Sequence, residues 1–160
     1  MNKKGFTLIE LLIVVAIIGI IAAIAIPNLL VALQKGKQKA TMGDMKSVGN
    51  AVESYITDWS FAPQVGTNVT VDNLAVAWFE PFYIKILPKQ DGWGTLFRYT
   101  VVGAINTDDQ DVYNTESYGR NKIDGPVPGD ALYDVTAISD FNFDIVFSNG
   151  FFTQGPRVKK

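Results

Sequence analysis

Two hydrophobic patterns succeed one another along the chain. From Leu11 to Ile26 every position is aliphatic, Ala or Gly, and between Phe6 and Leu33 the sole charged side chain is Glu10. At ~1.5 Å rise per residue, about 20 residues cross the hydrocarbon of a bilayer, so this stretch is long enough to span it as a helix. Past Leu33 the pattern turns amphipathic without a strong helix stop. Met42, Met45, Val48, Val52, Tyr55 and Trp59 recur at spacings of three and four, while Asp44, Lys46, Ser47, Asn50 and Glu53 occupy the other side. Together they predict one helix from Phe6 to about Asp58, roughly 80 Å long.

The remainder reads differently. Ser60 to Pro63 marks the helix exit, Val65 to Asp72 an exposed connection, and Asn73 to Phe79 a short helix. Short β-like runs follow at Tyr83 to Leu87, Leu96 to Val102, Val112 to Tyr118 and Phe143 to Phe147, separated by turn signals at Asp91-Gly92, Asp124-Gly125-Pro126 and Ser148-Asn149-Gly150. The expected class is α+β, with a long N-terminal helix packed on a small antiparallel sheet.

Composition narrows the chemistry. The 160 residues contain neither His nor Cys, which removes the commonest general base and transition-metal ligand together with thiol catalysis, zinc ribbons and disulfides. Charge is divided: residues 1–46 hold six lysines against Glu10 and Asp44, a balance of +4, and residues 47–160 hold eight basic and fourteen acidic side chains, a balance of -6. An acidic folded part argues against nucleic-acid binding. Paired carboxylates can hydrolyse glycosides, but here the acids concentrate in one loop of a small head, and neither G-x-S-x-G nor S-x-x-K occurs. The expectation is a non-enzyme.

The N-terminus admits two readings. The Ala-rich end from Ile21 to Pro27 could imitate the cleavage site of a secretory signal; otherwise the segment is a retained anchor. Lys3 and Lys4 place this end in the cytoplasm by the positive-inside tendency. Glu10 lies near the membrane end of the span, where an ionised carboxylate costs a few kcal/mol and calls for a cationic partner. Pro27 removes a helix donor and Gly19 lowers propensity, which makes the segment between them a weak point. Gly36, Gly43 and Gly49 read either as sites of bending or close helix contact or as tolerated surface glycines. Lys35, Lys37 and Lys39 read most simply as a solvated face near lipid headgroups, the alternative being filament contacts to acidic heads.

Lys4-Gly5-Phe6-Thr7-Leu8-Ile9-Glu10, with the aliphatic run and Pro27 behind it, resembles the class III signal of type IV pilins and of the pseudopilins of type II secretion systems. The resemblance implies that a prepilin peptidase and methyltransferase cuts between Gly5 and Phe6 on the cytoplasmic side and N-methylates Phe6. Glu10 then becomes the fifth residue of the mature chain and pairs with the terminal amine of a neighbouring subunit. The implied organisation is a leader at 1–5, a transmembrane and assembly helix at 6–33, an amphipathic continuation at 34–58 and a pilin-like head at 59–160. It implies a single-pass protein of the bacterial inner membrane with its head outside the cytoplasm. Identical subunits, extracted by an assembly platform and its ATPase, would pack into a helical filament, with Glu10 and Pro27 as assembly residues.

Two stretches of the head extend the resemblance. Ile86-Leu87-Pro88, Asp91, Trp93-Gly94 and Tyr99 look like the L-P-x-D-P-W-G-x-x-Y element of major pseudopilins, with Gly92 standing where that element has Pro. Ser117-Tyr118-Gly119, Asp124-Gly125 and Asp144-Ile145 look like the S-x-G-x-D-G and D-I elements that enclose a calcium ion in that family, with a longer insertion here between Gly125 and Asp144. Residues 107–144 hold nine carboxylates against Arg120 and Lys122, and calcium takes six to eight oxygen ligands from such irregular backbone. The expected set is Asp124, Asp144 and the Tyr118 carbonyl, completed by Asp140 or Asn142; the other reading is a solvated acidic loop. The missing cysteine pair and the W-G and D-G elements favour a major pseudopilin over a type IV pilin for adhesion, twitching or DNA uptake. A reading of another class is a monomeric membrane-anchored binding module that presents Phe151-Phe152 and Trp78-Phe79.

Overall fold

A computed structural model describes residues 5–65, 69–74, 79–104, 106–125 and 131–157. The first element is the helix α1, Leu8–Trp59, unbroken through Pro27. Strands β1 (Val69–Thr70), β2 (Arg98–Val101), β3 (Tyr113–Ser117), β4 (Leu132–Tyr133), β5 (Ile145–Ser148) and β6 (Phe151–Pro156) follow, with a three-residue helix α2 (Asp72–Leu74) after β1 and a 3-10 helix (Ile138–Asn142) before β5. The chain divides into two compact units, residues 1–35 and 36–160.

In the first unit the side chains from Leu8 to Leu33 are almost all exposed, and α1 is long and apolar enough to cross a membrane. In the second unit the six strands form one sheet in the order β1-β2-β3-β5-β6-β4, antiparallel except for the β4–β6 pair. The amphipathic stripe meets this sheet: Met45, Val48, Val52 and Tyr55 are buried with Tyr99, Tyr113, Ile145 and Phe147. Burying such side chains is worth roughly 1.5–3 kcal/mol each, which makes this layer the main stabilising element of the head. Trp59 ends the stripe mostly exposed, at 58 %.

Gly49 belongs to the core, not to the surface. A Cβ there would run into the Phe147 ring, so the missing side chain sets how closely helix and sheet approach. Tyr113 pins the same turn, its phenol donating toward the Gly49 carbonyl at 3.2 Å and the Glu53 carboxylate at 3.1 Å.

The β5–β6 hairpin turns through Asn149 and Gly150, at φ 43° and 87°, the left-handed pair that a two-residue type I′ turn demands. Tyr83 to Leu87 is a turn rather than the expected strand. The Tyr83 and Ile84 amides both donate to the Phe79 carbonyl, and the Leu87 amide to the Glu80 carboxylate at 2.7 Å, which leaves no ladder to join. The expected helix at Asn73 to Phe79 begins with α2, and residues 75–78, Trp78 among them, lie outside the described residues. Phe79 is fully buried and cannot present itself to a partner.

Candidate functional site

The N-terminal site is built by the first helical turn. Gly5 and Phe6 precede α1; nothing stands within 4 Å of a Cβ placed on Gly5, and Phe6 is exposed. Both lie on open backbone that an enzyme cleft can reach. Thr7 and Glu10 form a reciprocal cap. The Thr7 amide and hydroxyl donate to one Glu10 oxygen at 2.9 and 2.6 Å, and the Glu10 amide returns a bond to the Thr7 hydroxyl at 3.3 Å. This capping box satisfies backbone donors that a helix start otherwise leaves orphaned. The carboxylate that called for a cation is thus met within its own chain by Thr7, a residue signalled by the T-x-x-E spacing that the charge argument overlooked. Pro27 lies within α1.

In the head, two segments of the acidic loop are drawn together at Gly119. Its φ is +64°, and a Cβ there would strike the carbonyls of Phe141 and Phe143, so glycine alone allows the approach. The Arg120 amide donates to the Phe141 carbonyl at 2.8 Å. Tyr118 is thereby set beside the backbone that carries Asn142 and Asp144.

Asp144 is buried. Its Oδ2 accepts from the Gly125 amide at 3.1 Å, while Oδ1 is buried with no hydrogen-bond partner. Burial raises its carboxyl above the ordinary range, the Gly125 bond opposes this, and the Asp124 charge adds to the rise. Glu116, which sequence reasoning did not select, is raised by burial and then by Asp124 and Asp144. It pairs with Val146 in the β3–β5 ladder, and alternation along the strand signals its place on the Asp144 side.

Asp140 does other work. Its Oδ2 accepts from the Thr136 amide and hydroxyl at 2.7 and 3.0 Å and from the Ala137 amide at 2.8 Å. Those bonds cap the 3-10 helix and hold the carboxyl below its usual range. Among the described residues no three acidic side chains gather as a finished metal cage. What the loop offers is an unpaired buried carboxylate oxygen, the neighbouring Asp124 and backbone carbonyls, a hard-oxygen set of the kind calcium accepts.

The prokaryotic N-terminal methylation motif matches residues 1–26. The chain is 35% identical over 116 residues to type II secretion system core protein G of Vibrio cholerae, an alignment spanning 68% of this chain and 77% of that protein. Against core protein G of Aeromonas hydrophila it is 31% identical over 65% of this chain and 77% of the relative. The type IV major pilin protein PilA of Myxococcus xanthus is 45% identical over 69 residues, covering 41% of this chain and 31% of that protein. No solved structure matches the chain significantly. With the methylation motif, the long N-terminal apolar helix and the mostly antiparallel sheet agreeing with these relatives, the chain belongs to the family of type II secretion system core protein G, the pilin-like major pseudopilins.

Proposed function

We propose that this chain is the major pseudopilin of a type II protein secretion system, a structural subunit of a pilus-like filament and not an enzyme. The observation that carries the reading is the methylation motif, with the Thr7–Glu10 cap inside it, on a chain that aligns with most of core protein G. Processing between Gly5 and Phe6 and N-methylation of Phe6 fit the exposed backbone there. The apolar helix anchors the subunit in the bacterial inner membrane, N-terminus in the cytoplasm and head outside it, until an ATPase-driven platform extracts it.

In the filament, helix contacts replace lipid contacts, and Glu10 exchanges its Thr7 partners for the Phe6 amine of a neighbour, which sets the axial register. Pro27 supplies a flexible point within the packed helices. In the head, Asp124, Asp144, the Tyr118 carbonyl and Asn142 would hold a calcium ion. When bound, the ion supplies positive charge to carboxylates that burial and mutual repulsion disfavour as anions.

Glu10→Ala in full-length protein tests the assembly role: polymers should disappear while the head keeps its near-UV circular dichroism, and unimpaired polymers would overturn it. The similarity to PilA sustains a second reading, a type IV pilin, which surface pili without any secretion defect in a deletion strain would favour.

A further inference from the structure

Asp91 is an acid sealed inside the head, only 6 % exposed. Its Oδ1 accepts from the Trp93 and Thr95 amides at 2.9 and 2.8 Å. Backbone bonds close the same turn, the Asp91 amide donating to the Thr95 carbonyl and the Gly94 amide to the Asp91 carbonyl. The neighbouring Gly92 amide ties the turn to α1 through the Thr41 hydroxyl at 2.8 Å. One carboxylate oxygen is enough for this turn. The other, Oδ2, accepts from the hydroxyl of Ser117 in β3 at 2.8 Å.

Ser117 is buried too, at 1 % exposure, and its hydroxyl has one proton to give. An ionised carboxylate only accepts, so that proton is committed to Asp91. What is left on the serine oxygen is acceptor capacity, and the Gly119 amide donates to it at 3.3 Å. This amide belongs to the Tyr118–Gly119 peptide, which is trans. A trans peptide is planar with its N–H and C=O opposed, so holding the N–H toward Ser117 holds the Tyr118 carbonyl to the opposite side.

We infer that Asp91 is a positioning residue for the calcium loop, setting through the Ser117 hydroxyl the direction of the Tyr118 carbonyl. The inference rests on the calcium reading proposed above, in which that carbonyl is a ligand. Asp91 touches no ion; it orients a ligand from behind, as the outer partners of metal ligands do. The polarity of the relay is what matters. In Asp91→Asn the side-chain oxygen can keep the Trp93 and Thr95 amides, which leaves the NH2 group facing Ser117 as a donor. The serine proton is then displaced toward the Gly119 amide, donor against donor, and the peptide loses its anchor.

The test is calorimetric titration of the full chain in detergent with calcium chloride, using the unaltered chain, Asp91→Asn, Ser117→Ala and the double variant. Each single change should weaken calcium binding about 10–100-fold. The double variant should bind no more weakly than the poorer single one, because both changes break one line. Without calcium, hydrogen exchange at the Gly119 amide should quicken several-fold in both single variants while the β5 amides stay protected, whereas a general loss of stability would spread over the sheet. A folded Ser117→Ala chain that binds calcium as tightly as the unaltered one overturns the relay, and so do additive losses or unchanged exchange at Gly119. Should Asp91→Asn fail to fold, Ser117→Ala still decides by affinity and by exchange. If the unaltered chain takes up no calcium, the calcium reading itself falls and the positioning role with it; binding that the variants share equally sinks the relay alone.

Discussion

The amide of Gly92 donates to the hydroxyl of Thr41 at 2.8 Å, and that hydroxyl donates to the Lys37 carbonyl one turn earlier at 2.9 Å. A buried threonine thus relays between helix and hairpin through the position where the pseudopilin element has proline. Proline lacks the amide this bond requires.

Gly92→Pro and Gly92→Ala should both destabilise the head, because any Cβ there meets the Lys37 carbonyl. A loss of about 1–3 kcal/mol is expected for each, and about 1 kcal/mol for Thr41→Val. Urea unfolding of the full chain in detergent, followed by near-UV circular dichroism, measures all three.

Gly49→Ala should cost about 1–3 kcal/mol, since the Phe147 ring is packed in the core and has little room to yield. Phe147→Leu frees space, so the double variant should be more stable than the sum of the two losses allows. Additive losses would refute the contact as the cause.

Calcium should raise the melting temperature of the full chain, and a chelator should lower it. Asp144→Asn should remove that response, because it alters the buried unpaired oxygen. Asp140→Asn should leave it intact, because that carboxylate is turned to Thr136 and Ala137. No shift with chelator in the unaltered chain removes the metal.

Asp140 also has a pH signature. Its folded-state pKa is lowered by the Ala137 and Thr136 bonds, so its stabilising effect is fully present above the ordinary aspartate value of ~4 and fades as pH falls through the folded value below it. The deficit of Asp140→Asn against the unaltered chain should therefore be seen at neutral pH and vanish in strong acid. The side chain is largely solvated, so the deficit should be small.

Thr7→Val removes the hydroxyl that donates to Glu10 and accepts its amide, while the Thr7 amide bond can persist. The first turn of α1 should fray, with faster amide exchange at Leu8 to Leu11, and a cap of this kind is worth about 1 kcal/mol.

What could be read in advance followed from repetition. The apolar run and the three-and-four spacing from Met42 to Trp59 each recur often enough to define the helix and its buried face, and the β-like run from Val112 to Tyr118 placed β3 to within a residue at each end. The T-x-x-E cap was equally visible in the letters but was hidden by attention to Glu10 as a lone charge. Two features had no local signal. Tyr83 to Leu87 has strand composition, yet its amides are taken by Phe79 and by the Glu80 side chain, a choice made by tertiary packing. Asp140 and Asp144 look alike in an acidic loop; only the 3-10 turn after Thr136 separates a cap from a buried, half-satisfied carboxylate.

The sheet is bounded by β1 and β4, strands of two residues each. A long bare edge invites a second chain to add its own strand, and a protein concentrated into a polymer would be especially exposed to that mispairing. Edges this short deny a template for cross-β growth. In the filament proposed above, heads with such edges can crowd along a fibre without pairing edge to edge.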